Sequence, residues 1–223
     1  MAKMTNAKKS LLVIIIALLV AFSSLMALFS GSFGKNSASS NLIRVACVGD
    51  SITEGSGYPE DLQIMLGANY QVENFGVSGS TVLLNSEMPY LNQAACKKSQ
   101  VFQPSIVILM LGTNDAKVAT SEFIDNFSED YKTLISEYQA LESNPEIWLV
   151  KPPPILENDL DLSDANLQQD VIPKIEQIAN ELNLPTIDVY AAFAYFPEYF
   201  MDGVHPSSEG AAVIANEVSQ ALS

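Results

Sequence analysis

The run Ser105–Leu111, SIVILML, has no polar residue after its first position. A strand apolar at every position has both faces covered. Sheets covered on both faces are parallel sheets whose strands are joined through helices. Other short runs fit the same plan. Leu42–Val48, Tyr70–Glu73, Glu146–Val150 and Thr186–Val189 read as further strands, while Pro59–Leu66, Thr120–Leu141, Ala165–Leu182 and Glu209–Leu222 read as helices. Phe123, Phe127, Tyr131, Leu134, Ile135 and Tyr138 share one helical face. The expected fold is α/β, a parallel sheet with helices on both sides.

In such a sheet, ligands bind beyond the carboxyl ends of the strands. Residues able to do chemistry should therefore follow strands, and they do. Asp50 and Ser51 follow the first, Ser78 and Gly79 the second, Asn114 and Asp115 the third, and Asp202 and His205 the last. His205 is the only histidine in the chain and hence the one candidate for an imidazole base. Asp202 precedes it by three residues, with Gly203 free to turn tightly between them. A carboxylate so placed can accept the Nδ1 proton and stabilise an imidazolium. Ser51 needs such a base, because a serine hydroxyl is a weak nucleophile until its proton is taken. Acyl transfer also needs donors for an oxyanion. The N–H of Gly79, unobstructed by a Cβ, and the Asn114 amide offer them. Taken singly, each segment has a plainer reading. DGVHP is also a surface turn, VGDSIT an Asx turn or helix cap, NFGVSGST a turn, and LGTND a capping loop. Asp50 and Asp115 read as carboxylates that organise their loops.

The N-terminus has a different character. Lys3, Lys8 and Lys9 precede an apolar stretch that runs from Leu11 to Phe29, broken only at Ser23 and Ser24. Residues 1–30 thus read as a secretory signal peptide or as an uncleaved N-terminal transmembrane anchor. Either places the rest of the chain outside the cytoplasm, secreted or anchored. Residues 31–41, rich in Gly, Ser and Asn, read as a linker, leaving 42–223 as one domain. All 26 Asp and Glu lie beyond residue 40, whereas four of the 11 Lys and Arg lie before it. So acidic a domain repels nucleic acid and anionic headgroups, and no nucleic-acid partner is expected. Contact with a membrane is expected through the N-terminal segment alone.

Cys47 and Cys96 have no zinc or CxxC spacing. Cys47, inside an apolar run, reads as a small buried thiol; a Cys47–Cys96 disulfide stays open for an exported chain. No metal cluster and no phosphate-binding loop is present, so no metal or cofactor is expected. Tyr190, Phe193, Tyr195, Phe196, Tyr199 and Phe200 crowd the approach to DGVHP. They read as packing beneath that loop, with a sugar-stacking wall as the alternative. Trp148 reads as core. Pro152–Pro154 end a strand on the functional edge, either shaping a rim or only stopping the strand.

Taken together, GDS, GVSG, GTND and DxxHP, in that order and each after a strand, resemble the SGNH (GDSL-type) hydrolase family. The resemblance spans residues 43–222. It implies a three-layer α/β/α sandwich around five parallel strands, of flavodoxin-like type. It also implies Ser51 as nucleophile, His205 as general base and Asp202 as its orienting acid. Ser51, Gly79 and Asn114 would supply the oxyanion hole. The GxSxG elbow of other α/β hydrolases is absent. VGDSITEGSGYPEDLQIMLG and VENFGVSGSTVL look most like the family's carbohydrate acetylesterase branch. The expected activity is therefore serine esterase action on short-chain carboxylic esters, O-acetyl groups of carbohydrate above all. The partner is then a small-molecule or glycan ester. The alternatives are a lysophospholipase or general carboxylesterase of the same family and, in another class, a catalytically silent, membrane-anchored glycan-binding module.

Overall fold

The computed structural model describes residues 42–117, 123–194 and 196–223. The expected signal or anchor and linker, residues 1–41, lie outside the described residues. The domain contains five parallel strands: β1 (Ile43–Gly49), β2 (Tyr70–Gly76), β3 (Ile106–Met110), β4 (Glu146–Lys151) and β5 (Thr186–Asp188). Their spatial order is β2-β1-β3-β4-β5, the doubly wound order of flavodoxin-like folds. The register runs from Ile43↔Tyr70 to Gly49↔Gly76 between β1 and β2, and from Val45↔Ile106 to Gly49↔Met110 between β1 and β3.

Alternation along the strands builds two cores. Val45 and Cys47 of β1, with Ile106, Ile108 and Met110 of β3, face one side. Ala46 and Val48, with Val107, Leu109 and Leu111, face the other. The first side is covered by α1 (Ser51–Gly55), α2 (Tyr58–Leu66), α6 (Val189–Ala192) and α7 (Ser208–Ala221), through Ile52, Tyr58, Leu62, Val189, Ile214 and Val218. The second is covered by α3 (Ala94–Val101), α4 (Phe127–Gln139) and α5 (Ile172–Leu182), through Cys96, Phe127, Tyr131, Leu134, Ile175 and Ile178. On this side the buried Ser99 and Tyr138 hydroxyls bond at 2.7 Å, joining α3 to α4. Together these layers make the α/β/α sandwich.

Several expected elements differ in detail. The helical period over Thr120–Leu141 resolves into a 3₁₀ turn at residues 123–126 followed by α4; residues 118–122 are not described. The helix expected over Ala165–Leu182 is interrupted at Leu167–Val171 by a wider π turn just before Pro173. Proline brings no N–H and crowds the preceding turn, and a π turn absorbs that misfit. Of the two readings of VGDSIT the structure takes the helix cap, with Asp50 capping α1, whereas helices α3 and α6 were not expected.

Cys47 and Cys96 are free thiols, buried in the two different cores on opposite faces of the sheet. That separation excludes a bond between them. Burial pushes the Cys47 thiol up to about 12, as befits an inert packing residue. Trp148 packs against the first core with its Nε1 unpaired. Among the described residues, no helix is long and apolar enough to cross a membrane.

Candidate active site

The order of strands reverses between β1 and β3, where a crevice opens beyond the carboxyl ends. Ser51 lies there because β1 passes into α1 without a linker. Asp50 caps that helix, its Oδ1 accepting the Ile52 N–H at 3.0 Å. The Ser51 N–H belongs to the first helical residue, so the helix does not use it.

His205 arrives from the far end of the chain. It follows the last strand, as expected, with α6 and a 3₁₀ turn at Pro197–Tyr199 between. Its Nε2 lies 2.9 Å from Ser51 Oγ and its Nδ1 lies 2.7 Å from Asp202 Oδ2. Asp202 Oδ1 accepts the N–H groups of Val204 (3.0 Å) and His205 (2.8 Å). With the ring proton on Nδ1 facing the carboxylate, Nε2 presents its lone pair to the serine hydroxyl. Partial burial pushes the Asp202 carboxyl up, but the bonds from His205 and Val204 outweigh it and hold the group below its ordinary value. The turn is closed from outside by the Met201 N–H on the His205 carbonyl (2.9 Å) and by the Ser207 N–H on the Tyr199 carbonyl (2.7 Å). Gly203 has φ +85°, and a Cβ there would lie 2.1 Å from the Glu157 carbonyl oxygen.

Gly79 and Asn114 face Ser51 and His205 across a cavity of about 310 Å³. Gly79 has φ +76°, a left-handed conformation natural to glycine. One Asn114 amide N–H donates to the Ser80 carbonyl at 3.0 Å, which fixes the plane of the amide and leaves its other N–H for the cavity. The neighbouring Asp115 is buried and accepts the N–H groups of Val82 (3.0 Å) and Leu83 (2.9 Å). Asn114 and Asp115 thus bind the loop after β2 to the turn after β3. Burial pushes the Asp115 carboxyl up to about 7, against those two N–H bonds, and the charge of Asp50 adds to the rise. Asp50 is likewise pushed up to about 6 by burial; the Ile52 N–H, the nearby Thr113 hydroxyl and the attraction of His205 limit the shift. Both acids organise loops, as their sequence positions suggest.

Two features of the site were not visible in the sequence. Glu54 Oε2, on α1, accepts the Ser78 N–H at 2.8 Å and also the Ser78 hydroxyl, so the helix bearing Ser51 holds the residue before Gly79. The loop after β4 brings Leu160 and Leu162 to the cavity wall beside Val204. The aromatic run before DGVHP does not line this cavity. Phe193 is buried and packs on Phe200 at 5.0 Å between ring centroids, and Phe196 stacks on Tyr199 at 4.9 Å; Tyr195 is not described. Pro152 and Pro153 are buried and also lie off the cavity wall. Among the described residues, no three His, Cys, Asp or Glu side chains group as metal ligands would.

A 2-1-3-4-5 parallel sheet carrying a hydrogen-bonded Ser–His–Asp array beyond its strand ends, with Gly79 and Asn114 across the cavity, sets the chain among doubly wound α/β proteins with a site at the strand-order reversal. The chain belongs to the GDSL-like lipase/acylhydrolase family, whose model matches residues 47–213. It is 32% identical over 206 residues to an acetylxylan esterase of Xylanibacter ruminicola, across 81% of this chain and 43% of that protein. The chain spans about half the length of the curated relatives it matches. Among solved structures, it is similar to the acetylxylan esterase Axe2 of Geobacillus stearothermophilus, with 25% identity, a TM-score of 0.64, and coverage of 79% of this chain and 92% of that one. It also shares its fold with a carbohydrate acetylesterase family member from Sinorhizobium meliloti, with 22% identity, a TM-score of 0.63, and coverage of 80% and 96%.

Proposed function

We propose that this protein is a serine esterase that removes short acyl groups, O-acetyl groups of carbohydrate in particular. The observation that carries the proposal is the Ser51–His205–Asp202 array, with contacts of 2.9 and 2.7 Å. Ser51 Oγ attacks the ester carbonyl while His205 Nε2 takes its proton. The oxyanion is received by the Ser51 and Gly79 N–H groups and the Asn114 amide. His205 returns the proton to the leaving alcohol, and the Asp202 carboxylate balances the imidazolium formed between the two transfers. Water then attacks the acyl-enzyme through the same base, releasing the acid and restoring Ser51.

A carbohydrate alcohol suits the surroundings. A hollow of about 680 Å³ adjoins the site beside Gly79 and Asn114, with Asn85, Ser86 and Glu87 in its wall. Another, of about 720 Å³, adjoins it at Leu160, with Glu157, Asn158 and Asp159. The second wall is mostly polar and the first mixes Met88 and Phe123 with its polar groups, and the hydrogen-bonding side chains in both suit sugar hydroxyls. The resemblance to an acetylxylan esterase supports the same reading. The apolar N-terminal segment, Leu11–Phe29, further supports a site of action outside the cytoplasm.

The test joins labelling to turnover. A fluorophosphonate should label wild type at Ser51 and fail on Ser51→Ala, and both Ser51→Ala and His205→Ala should nearly abolish hydrolysis of p-nitrophenyl acetate and acetylated xylan fragments. Asn114→Ala should lower kcat on the order of 10²–10³-fold. A Ser51→Ala protein of full activity would overturn the proposal, and a wild type that is neither labelled nor active would favour a glycan-binding module. Faster hydrolysis of octanoate than of acetate esters would favour a lipid ester instead.

A further inference from the structure

Between β4 and α5, residues 155–163 cross the site without forming helix or strand. One side chain organises them. The Asn158 amide donates to the carbonyls of Leu156 (2.8 Å) and Leu162 (3.0 Å), while its oxygen accepts the N–H groups of Leu160 (2.9 Å) and Leu162 (3.4 Å). The loop is also strapped at both ends to the turns that carry the site. The Leu156 N–H donates to the Gly203 carbonyl at 2.7 Å, inside the turn of Asp202 and His205. The Ser163 N–H donates to the Ala116 carbonyl at 3.2 Å, and Leu162 pairs with Lys117 as an antiparallel bridge beyond Asn114. Asp164 Oδ1 accepts the Ile155 N–H at 3.0 Å.

This bracing matters because of what it presents. Leu160 is 44% exposed, and a solitary exposed leucine on an ordinary loop carries no message. Here the backbone beneath it is fixed by Asn158, and the side chain stands in the wall of the cavity that holds Ser51 and His205. Leu162 and Val204 continue the same wall. An ester carbon bonded to Ser51 Oγ has three other directions to fill. Its carbonyl oxygen goes to the Gly79 and Asn114 donors, and its alkoxy oxygen goes to His205 Nε2. The acyl substituent is left with the apolar part of the wall.

We propose that the 155–163 loop limits acyl-chain length, with Leu160 and Leu162 contacting the acyl group and Asn158 acting as the positioning residue that holds them. This deepens, and rests on, the esterase reading above. A braced apolar wall selects by volume, and each methylene that is admitted or excluded changes relative rates by roughly 10–200-fold.

The test varies the acyl group and the alcohol separately. For p-nitrophenyl acetate, butyrate and hexanoate, Leu160→Ala should raise the butyrate-to-acetate ratio of kcat/KM by about 10-fold and Leu160→Trp should lower it. Asn158→Ala should also raise the ratio, whereas a merely structural loss would reduce all three rates alike. Across methyl, naphthyl and xylosyl acetates, relative rates should stay within about twofold of wild type. Ratios unmoved by both Leu160 variants would overturn the proposal, as would a change confined to the alcohol series, which would place the loop against the leaving group. Fluorophosphonate labelling separates the two possible failures. Labelled protein with unmoved ratios fails the acyl-length proposal alone, while unlabelled, inactive wild type fails the esterase reading beneath it. Thermal unfolding of each variant checks that the fold is retained.

Discussion

Asp50 is buried, and its Oδ1 accepts the Ile52 N–H at 3.0 Å while its Oδ2 has no hydrogen bond. Folding raises its carboxyl from the usual 3.8 to about 6. The native state therefore keeps a proton that the unfolded chain has already lost. The corresponding stability is fully present below about pH 3.8 and is lost as pH rises through about 6. A shift of that size corresponds to about 3 kcal/mol. Asp50→Asn keeps the cap oxygen and offers Thr113 a donor, without any charge to bury. Urea unfolding at a series of pH values from 4 to 7 should show the variant gaining on wild type by about 1–3 kcal/mol as pH increases. A difference constant across that range would show that Asp50 is not the group responsible. Asp115, raised to about 7, extends the same trend in wild type to slightly higher pH.

At the scale of elements, the site depends on links between segments that are remote in sequence. Glu54 is one. Its carboxylate spans from α1 to Ser78, 24 residues onward, and so ties the helix of Ser51 to the loop that presents Gly79. Glu54→Ala should lower kcat by about 10-fold with KM within twofold, because a donor displaced by a fraction of an ångström serves the transition state more than the ground state. Glu54→Gln, whose amide oxygen can still accept the Ser78 N–H, should recover most of the loss. Steady-state kinetics on p-nitrophenyl acetate decides this, and a change in KM alone would exclude the role. The link also shows where reading the sequence stops. Ser51, Gly79, Asn114, Asp202 and His205 stood out because each follows an apolar run or shares a short motif, and the fold brings those segments to one edge. Nothing in the sequence around Glu54 or Asn158 sets either residue apart. Their meaning lies in partners that only the tertiary structure supplies. Helix α3 escaped notice for a related reason: in AACKKSQV only Cys96 and Ser99 are buried, too few to mark an apolar face. The β1 and β3 runs were legible to within a residue or two because β3 is buried at every position and β1 is buried from Val45 onward.

Across the whole molecule, the balance of charge is −15, and every acidic residue lies beyond residue 40. Glu157, Asp159 and Asp202 bring part of that charge to the hollow beside the site. An anionic ester should therefore be repelled on approach and a neutral one should not. Salt screens the exposed part of such a field, with a Debye length of about 10 Å at 0.1 M. The KM of an acetylated uronic-acid oligosaccharide should fall severalfold between about 20 and 300 mM salt, while that of a neutral acetylated xylo-oligosaccharide stays nearly flat. Equal salt responses from the two substrates would remove any role for the acidic surface in selection.

The Ser51–His205 contact joins residues 154 positions apart. A growing polypeptide would place Ser51, Gly79, Asn114 and all five strands before the imidazole emerged. Until His205 emerged, Ser51 would have no base, so the turn of Asp202 and His205 is the step of synthesis that would complete the array.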